Sequence, residues 1–423
     1  MRILRLGSRG TDVMEIQGLL ARIGYKPGPI DGIFGEQTRQ AVIDFQRNNG
    51  LTPDGVIGPA TYRILNPLLL GYDTYVVQPG DTLWRIAQKY YTTVSRIMTA
   101  NPGIDPYRLR IGQRLTVPFG IDVVDTNIAY NYEVLERDIA GLKARYPFIE
   151  TGSAGQSVLG RNLYYLKLGN GPNKVFYNGG IHSLEWLPVP VLMKWIENFS
   201  SAYAVSRNIR GYDVRSIWDQ STIYIIPMVN PDGIDIVLNG PQPDNPYYNQ
   251  LLEWNDTGRP FSQVWNANTR GVDLNHNYDA LWYEYQQLAE ELGYGQPGPT
   301  RYPGPSPESE PETQAIVKFI REHDFRLIIA YHSQGQVIYW NFQNLAPPVA
   351  RTIGEMFSNV SGYALDETTG TAAYSGMKDW FIQEYRRPGY TIETGLGVNP
   401  LPISQIPQIY DENEELLLLA AVV

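Results

Sequence analysis

The chain of 423 residues holds four histidines, His182, His276, His323 and His332, and no cysteine. Two of the histidines stand just past runs that read as buried strands. His182 follows Lys174-Val175-Phe176-Tyr177 within Asn178-Gly179-Gly180-Ile181-His182-Ser183-Leu184-Glu185. His332 follows Leu327-Ile328-Ile329-Ala330 within Tyr331-His332-Ser333-Gln334. A histidine and a glutamate three residues apart on a turn can reach one ion. A hydrolytic zinc site takes three imidazole or carboxylate ligands and keeps one position open for water, so a third ligand has to come from another strand end. Alone, His-x-x-Glu is a common pair and reads better as a loop histidine satisfied by ordinary hydrogen bonds. The lack of cysteine excludes thiolate metal sites, disulfides and a cysteine nucleophile. It also fits work outside a reducing cytosol.

The elements that must position these residues read as one large α/β domain over residues 120–423. Besides the two runs above, Ser221-Thr222-Ile223-Tyr224-Ile225-Ile226 reads as a buried strand, and helical stretches such as Pro188 to Phe199 and Thr313 to His323 alternate with them. That alternation predicts a mixed, mostly parallel sheet with helices on both faces, whose strand ends build the site. Residues 239–264 and 293–311, rich in Pro, Gly and Asn, read as long surface loops, a length often tied to function. His323 falls on a charged helix and reads as solvated.

Two smaller segments come first. In residues 1–66, Val13, Ile16, Leu20 and Ile23 recur at helical spacing, as do Thr38, Ala41, Val42 and Phe45. Asp31-Gly32-Ile33-Phe34-Gly35 is echoed by Asp54-Gly55-Val56-Ile57-Gly58, each followed by a threonine, Thr38 or Thr61. Asp-Gly makes a tight turn and the second glycine releases the chain into a helix. The pattern resembles the peptidoglycan-binding helical domain of wall hydrolases, which implies a small all-α domain at 1–66. After a linker at 67–73, Tyr75 and Val77 alternate as in a strand. Asp81 or Thr82 can cap a helix from Leu83, and Leu115 and Val117 suit a closing strand. Residues 74–119 resemble a LysM module, a small βααβ fold. The resemblance implies that N-acetylglucosamine strands lie against Gly80, Asp81 and Thr82 and against Asn101, Pro102, Gly103 and Ile104. These residues also suit plain capping and turning.

Charge is uneven. Residues 1–66 carry eight Lys/Arg against six Asp/Glu, and residues 67–119 six against three, while the whole chain is at −10. Two mildly basic modules that suit an anionic wall polymer thus precede an acidic body. No run of apolar residues is long enough to span a membrane, and the first residues show no secretory pattern. The expected location is the cell wall, the spore or the extracellular space, with synthesis in the cytoplasm, for instance of a mother cell. No nucleic-acid partner is expected.

Further along the third segment stand Asn230-Pro231-Asp232-Gly233, Trp265-Asn266-Ala267-Asn268, Arg270-Gly271-Val272-Asp273-Leu274-Asn275-His276-Asn277 and Tyr390-Thr391-Ile392-Glu393-Thr394-Gly395. With the two histidine motifs, in that order, the set resembles the zinc carboxypeptidase family over most of 120–423. The resemblance implies one Zn²⁺ held by His182, Glu185 and His332, with Asp273 orienting His182. It makes Glu393 the base that takes a proton from the attacking water and passes it to the leaving amine, a contribution of roughly 10²–10⁴-fold. Otherwise Glu393 pairs with Arg386 or Arg387.

Two departures from the family pattern bear on substrate. The family places a basic residue where Asn266 stands, for the oxyanion; Asn266 serves, or Arg270 or another arginine substitutes. The family has Asn-Arg where this chain has Asn275-His276, and that arginine clamps a terminal carboxylate in bidentate fashion. Tyr374 is the candidate catalytic tyrosine, although the register puts Thr371 at the usual distance. Lys378 falls where the family tunes side-chain specificity and is read either as a partner for a diaminopimelate carboxylate or as an exposed lysine. Wall-binding modules joined to this domain resemble the bacterial γ-D-glutamyl-L-diamino acid endopeptidases, which cut peptidoglycan stem peptides before meso-diaminopimelate or L-Lys. The alternatives are a general zinc carboxypeptidase docked on the wall and an inactive wall-binding protein.

Overall fold

In the computed structural model, which describes residues 2–423, each Asp-Gly turn of the first segment is served by a buried glutamine. Gln17 Nε2 donates to Asp31 (3.1 Å) and to Thr38 Oγ1 (3.1 Å), and Gln46 Nε2 donates to Asp54 (2.8 Å) and Thr61 Oγ1 (3.0 Å). Each aspartate also accepts the backbone N–H two residues on, at 2.9 Å. The repeat in sequence is thus a repeat of one polar knot, closed by threonine. Three helices, Thr11–Arg22, Glu36–Asn48 and Pro59–Leu70, pack Val13, Ile16, Leu20, Val42, Phe45 and Leu65 between them.

The second module pairs β1 (Tyr72–Val76) with β2 (Arg114–Pro118) antiparallel, with Tyr75 opposite Leu115. Helices Leu83–Lys89 and Val94–Ala100 lie between them in sequence, and Leu83, Ile86, Ile97, Leu115 and Val117 form the core. Thr82 is the residue that caps the first helix, accepting Arg85 N–H at 3.2 Å. Asp81 instead holds the turn, accepting Tyr75 O–H and Gln78 N–H at 2.7 Å each.

The chain divides into two units, residues 1–149 and 150–423. Residues 120–149 pack within the first unit. They carry the helix Tyr132–Arg145, which comes so close at Gly141 that an added β-carbon would stand 2.4 Å from Leu70 O. The buried Arg145 guanidinium donates to Gly71 O (2.8 Å), Ile121 O (2.9 Å) and Phe119 O (3.3 Å), pinning the joints around both modules.

The second unit is a mixed eight-stranded sheet of β3 (Glu150–Gln156), β4 (Asn162–Leu168), β5 (Asn173–Asn178), β6 (Ser221–Ile226), β7 (Leu327–His332), β8 (Val337–Tyr339), β9 (Ala364–Asp366) and β10 (Gly389–Glu393). Its order is β3-β4-β6-β5-β7-β10-β8-β9, with the central four strands parallel. Helices cover both faces, as adjacent residues of β5 show. Phe176 stacks on Phe325 and packs on Phe319, whereas Tyr177 points the other way, against Trp195, and donates its O–H to Leu417 O at 3.0 Å. The long stretch 239–264 holds two short helices, Tyr248–Trp254 and Phe261–Val264; buried Leu251 anchors the first, a signal hidden among its Pro and Asn neighbours. His323 is half-buried against Tyr224, Phe319 and Phe325 rather than solvated, because its ring is flat and its Nδ1 is satisfied by Phe319 O at 2.8 Å.

Candidate metal centre

The site gathers at the carboxyl ends of the central parallel strands, where such sheets open a crevice. Beyond β5 the chain turns through Gly180 at φ +61°, and an added β-carbon there would press on Val189 and Ile234 at 3.0 Å. That turn presents His182. His332 ends β7 and Glu393 ends β10, and the two are partners in the parallel register. Asn230, after β6, fixes the remaining geometry. Its Oδ1 caps the helix Pro231–Asn239, accepting Gly233 N–H at 3.0 Å. Its Nδ2 reaches Ile181 O (3.1 Å), Ser183 Oγ (3.1 Å) and Ala267 O (3.2 Å). The Asn-Pro-Asp-Gly motif therefore ties the His182 loop to the segment carrying Asn266. In sequence it served only as a family mark; an asparagine before proline at a helix start was the available signal.

Glu185 lies between the two imidazoles. His182 Nδ1 is 2.9 Å from Oε1 and His332 Nδ1 is 2.9 Å from Oε2, which also accepts Ser333 N–H at 3.2 Å. The donor atoms of His182, Glu185 and His332 all lie within 4.8 Å of one another. Ligands 2.0–2.2 Å from a tetrahedral ion stand roughly 3.3–3.5 Å apart, so two imidazoles and a carboxylate at this spacing fit zinc. The other face of His182 is fixed as well, with Nε2 3.1 Å from Asp273 Oδ1. A proton on Nε2 directed at Asp273 leaves the Nδ1 lone pair for a metal.

Burial works against a charged His182, but Glu185 and Asp273 outweigh it and hold its pKa well above the usual histidine range. Glu393 is pushed the other way from an ordinary carboxylate: burial and the negative Glu185 raise it well above its usual value. A carboxyl that readily carries a proton suits an acid–base role. Glu393 is not paired with Arg386 or Arg387; those residues precede the opposite end of β10, and Arg387 pairs with Asp324 at 2.8 Å.

The remaining expected residues fall in two groups. Asn275, His276 and Tyr374 sit together. His276 is buried, stacks on Tyr285 with ring centres 4.0 Å apart, and has Nδ1 3.1 Å from Tyr374 O. Burial lowers its pKa, so the imidazole is no standing cation. Asn275 donates its N–H to Asp273 Oδ1 (3.2 Å), and its Oδ1 accepts Met377 N–H (3.2 Å). Asn266 donates its backbone N–H to Pro299 O at 2.7 Å, while its side-chain carbonyl is buried with no partner. Arg270 and Lys378 are engaged elsewhere. Arg270 donates Nε–H to Tyr247 Oη (3.2 Å) and stands 3.7 Å from Glu310. Lys378 is buried rather than exposed, donating to Asn341 O at 2.7 Å and to its neighbour Asp379, because its helix turns that side chain toward the interior.

In the wall-binding unit, Asn101 turns its amide inward, donating to Ile97 O and Thr116 O at 2.7 Å and accepting Thr116 N–H at 2.9 Å. A shallow cavity of about 860 Å³ is lined by Gly103, Ile104 and residues 105 and 108–113. Gly80, Asp81, Thr82 and Pro102 do not line it.

Comparison with known proteins bears on the family and the domains. The zinc carboxypeptidase family model matches residues 135–416, that for a peptidoglycan binding domain matches 9–65, and that for the LysM domain matches 75–118. Gamma-D-glutamyl-L-diamino acid endopeptidase 1 of Lysinibacillus sphaericus is 39% identical over 389 residues, covering 80% of this chain and 96% of the relative. Among solved structures, bovine thrombin-activatable fibrinolysis inhibitor in complex with tick carboxypeptidase inhibitor aligns with a TM-score of 0.52 at 20% identity, over 69% of this chain and 96% of that one. The carboxypeptidase A from Helicoverpa armigera aligns with a TM-score of 0.52 at 16% identity, over 92% and 88%. These two alignments speak to fold. With the matched family model spanning the whole metal constellation, the chain is a zinc metallopeptidase that belongs to the zinc carboxypeptidase family.

Proposed function

We propose that this enzyme is a zinc-dependent endopeptidase that cuts the γ-D-glutamyl–diamino acid bond of peptidoglycan stem peptides, carried to the wall by its two N-terminal modules. The observation that carries the reading is His276. An enzyme that trims ordinary protein tails wants a permanent cation at that position. Here stands a buried imidazole whose pKa is lowered, stacked on Tyr285 and bonded to a backbone carbonyl. The relative that is 39% identical along nearly its whole length bears the name of such an endopeptidase. Tethering adds a physical reason, since modules that hold an insoluble polymer raise its effective concentration at the active site.

When bound, zinc polarises the scissile carbonyl and acidifies water toward a pKa of ~7. His182, Glu185 and His332 would hold it, and Asp273 would keep His182 in the ligating tautomer. Glu393 takes the proton of the attacking water and delivers it to the leaving amine of the diamino acid. Asn266 stands beside the developing oxyanion; Asn275, His276 and Tyr374 line the leaving side. Arg270 and Lys378 act through the walls they brace, not by reaching the peptide. On the wall-binding unit, glycan strands run along the backbone of the loops at 80–82 and 101–104. The place of action is the cell wall or a spore-associated compartment.

The test is mass spectrometry of purified stem peptides incubated with the zinc-loaded chain, with and without a chelator. Release of L-Ala-γ-D-Glu only without chelator is the expected result. Intact stem peptides in the presence of zinc, or faster removal of ordinary C-terminal residues, would overturn the reading in favour of a wall-docked carboxypeptidase.

A further inference from the structure

We infer that Arg301 supplies the substrate-reading cation missing from the positions of Asn266 and His276, and that it recognises a carboxylate of the stem peptide. The inference rests on the stem-peptide reading above. Residues 298–303 run as a strap along the motif segment. Pro299 O accepts the N–H groups of Asn266 (2.7 Å) and Ala267 (3.1 Å), and Tyr302 O accepts that of Asp273 (2.8 Å). Between them, Arg301 N–H donates to Asp273 Oδ2 at 2.8 Å, while the other oxygen of that carboxylate faces His182. The carbonyl of Arg301 accepts Tyr285 O–H at 3.0 Å, and the Tyr285 ring stacks on His276. One residue is thus fastened to the brace of a metal ligand on one side and to the altered clamp position on the other.

Its conformation and its side chain both point outward from structural need. Arg301 sits at φ +65°, a region that an ordinary L-residue adopts at a cost and that glycine would occupy freely. The guanidinium is exposed, donates to Tyr294 Oη at 3.0 Å and lies 5.1 Å from that ring's centre. Among the described residues it has no carboxylate partner. Of the other basic side chains on the site-building segments, Lys378 is buried against Asp379, and Arg270, its side chain 40% exposed, faces Tyr247 and Glu310. A planar guanidinium held by Tyr294 is suited to bidentate binding of a carboxylate. The stem tripeptide offers carboxylates on both sides of the scissile bond, the α-carboxylate of D-Glu before it and the two carboxylates of meso-diaminopimelate after it.

Because Asp273 is met by the backbone N–H of Arg301, Arg301→Gln removes the charge and leaves the His182 brace in place. Zinc-loaded full-length wild type, R301Q and R301K would be compared on L-Ala-γ-D-Glu-meso-diaminopimelate and on three versions, each with one of its three carboxylates amidated, by kinetics and by calorimetric affinity. R301Q is expected to raise KM about 10- to 100-fold, the loss of one charged hydrogen-bonded contact, with kcat nearly constant. R301K recovers part. One amidated peptide shows the same loss with wild type and no further loss with R301Q, which names the carboxylate. Equal kcat/KM and affinity for R301Q and wild type on the free peptide, or an equal loss on all four peptides, overturns the inference. If wild type binds the peptides but cuts none, the proposed reaction fails while the affinity difference still reads Arg301; if wild type neither binds nor cuts them, both fail.

Discussion

Replacing Asp273 by asparagine tests the claim that the fold fixes the tautomer of a metal ligand. Four donors converge on the Asp273 carboxylate, which is 2% exposed: His182 Nε2 at 3.1 Å, Asn275 N at 3.2 Å, Arg301 N at 2.8 Å and Thr300 Oγ1 at 3.4 Å. An amide has one acceptor atom and one donor group, so neither orientation serves this site. With its oxygen toward His182, the new NH₂ confronts the Arg301 N–H, and a buried donor left without an acceptor costs about 1–3 kcal/mol. With its NH₂ toward His182, the amide donates to Nε2 and drives the imidazole proton onto Nδ1, the atom that must bind metal. The first orientation costs stability; the second should lower zinc affinity about 10- to 100-fold, or roughly 1.4–2.7 kcal/mol. The assay is zinc competition against a chromogenic chelator near neutral pH, run beside a thermal melt of the metal-free forms so that lost folding is separated from lost binding. A variant that melts like wild type and binds zinc within about two-fold of it would falsify the tautomer argument.

Two further outcomes follow from the same coordinates. Glu393→Gln should keep its zinc and lose about 10²–10⁴-fold in turnover, since Glu393 is the proton carrier and not a ligand; retained turnover in stem-peptide digests would remove it from that role. Glu312 is fully buried and burial raises its pKa from 4.5 to about 8. Its folded pKa lies above the unfolded one, so its stabilising contribution is full below about pH 4.5 and fades as pH rises through about 8. Wild type should therefore melt at progressively lower temperature between these limits, and Glu312→Gln should flatten that slope; parallel pH profiles for the two proteins would contradict the assignment.

The metal ligands were legible because their chemistry leaves a local trace: histidine and glutamate at the ends of strand-like runs, beside glycines that a tight turn needs. The two Asp-Gly repeats were legible as turns for the same reason. Their glutamines were not, since Gln17 and Gln46 stand at unequal distances from the aspartates they serve, and only helix packing makes them equivalent. The alternation of apolar runs and helical stretches gave the mixed sheet with both faces covered, yet strand order and the Glu393–His332 pairing arise from contacts far apart in sequence.

What the sequence determined by itself, then, was composition-level class, the three family resemblances and the residues able to bind zinc. Tertiary structure alone decided which charges remain available. Arg270 and Lys378 looked like substrate contacts in one dimension, but Lys378 is buried against Asp379, because a cation leaving water needs a partner close by, and the half-exposed Arg270 faces Tyr247 and Glu310. Arg301 had no motif to mark it, and its position at the site depends on a strap hydrogen-bonded to the motif segment. Likewise, only the fold brings the carbonyls of Gly71, Phe119 and Ile121 to the buried Arg145 guanidinium at the end of the helix Tyr132–Arg145.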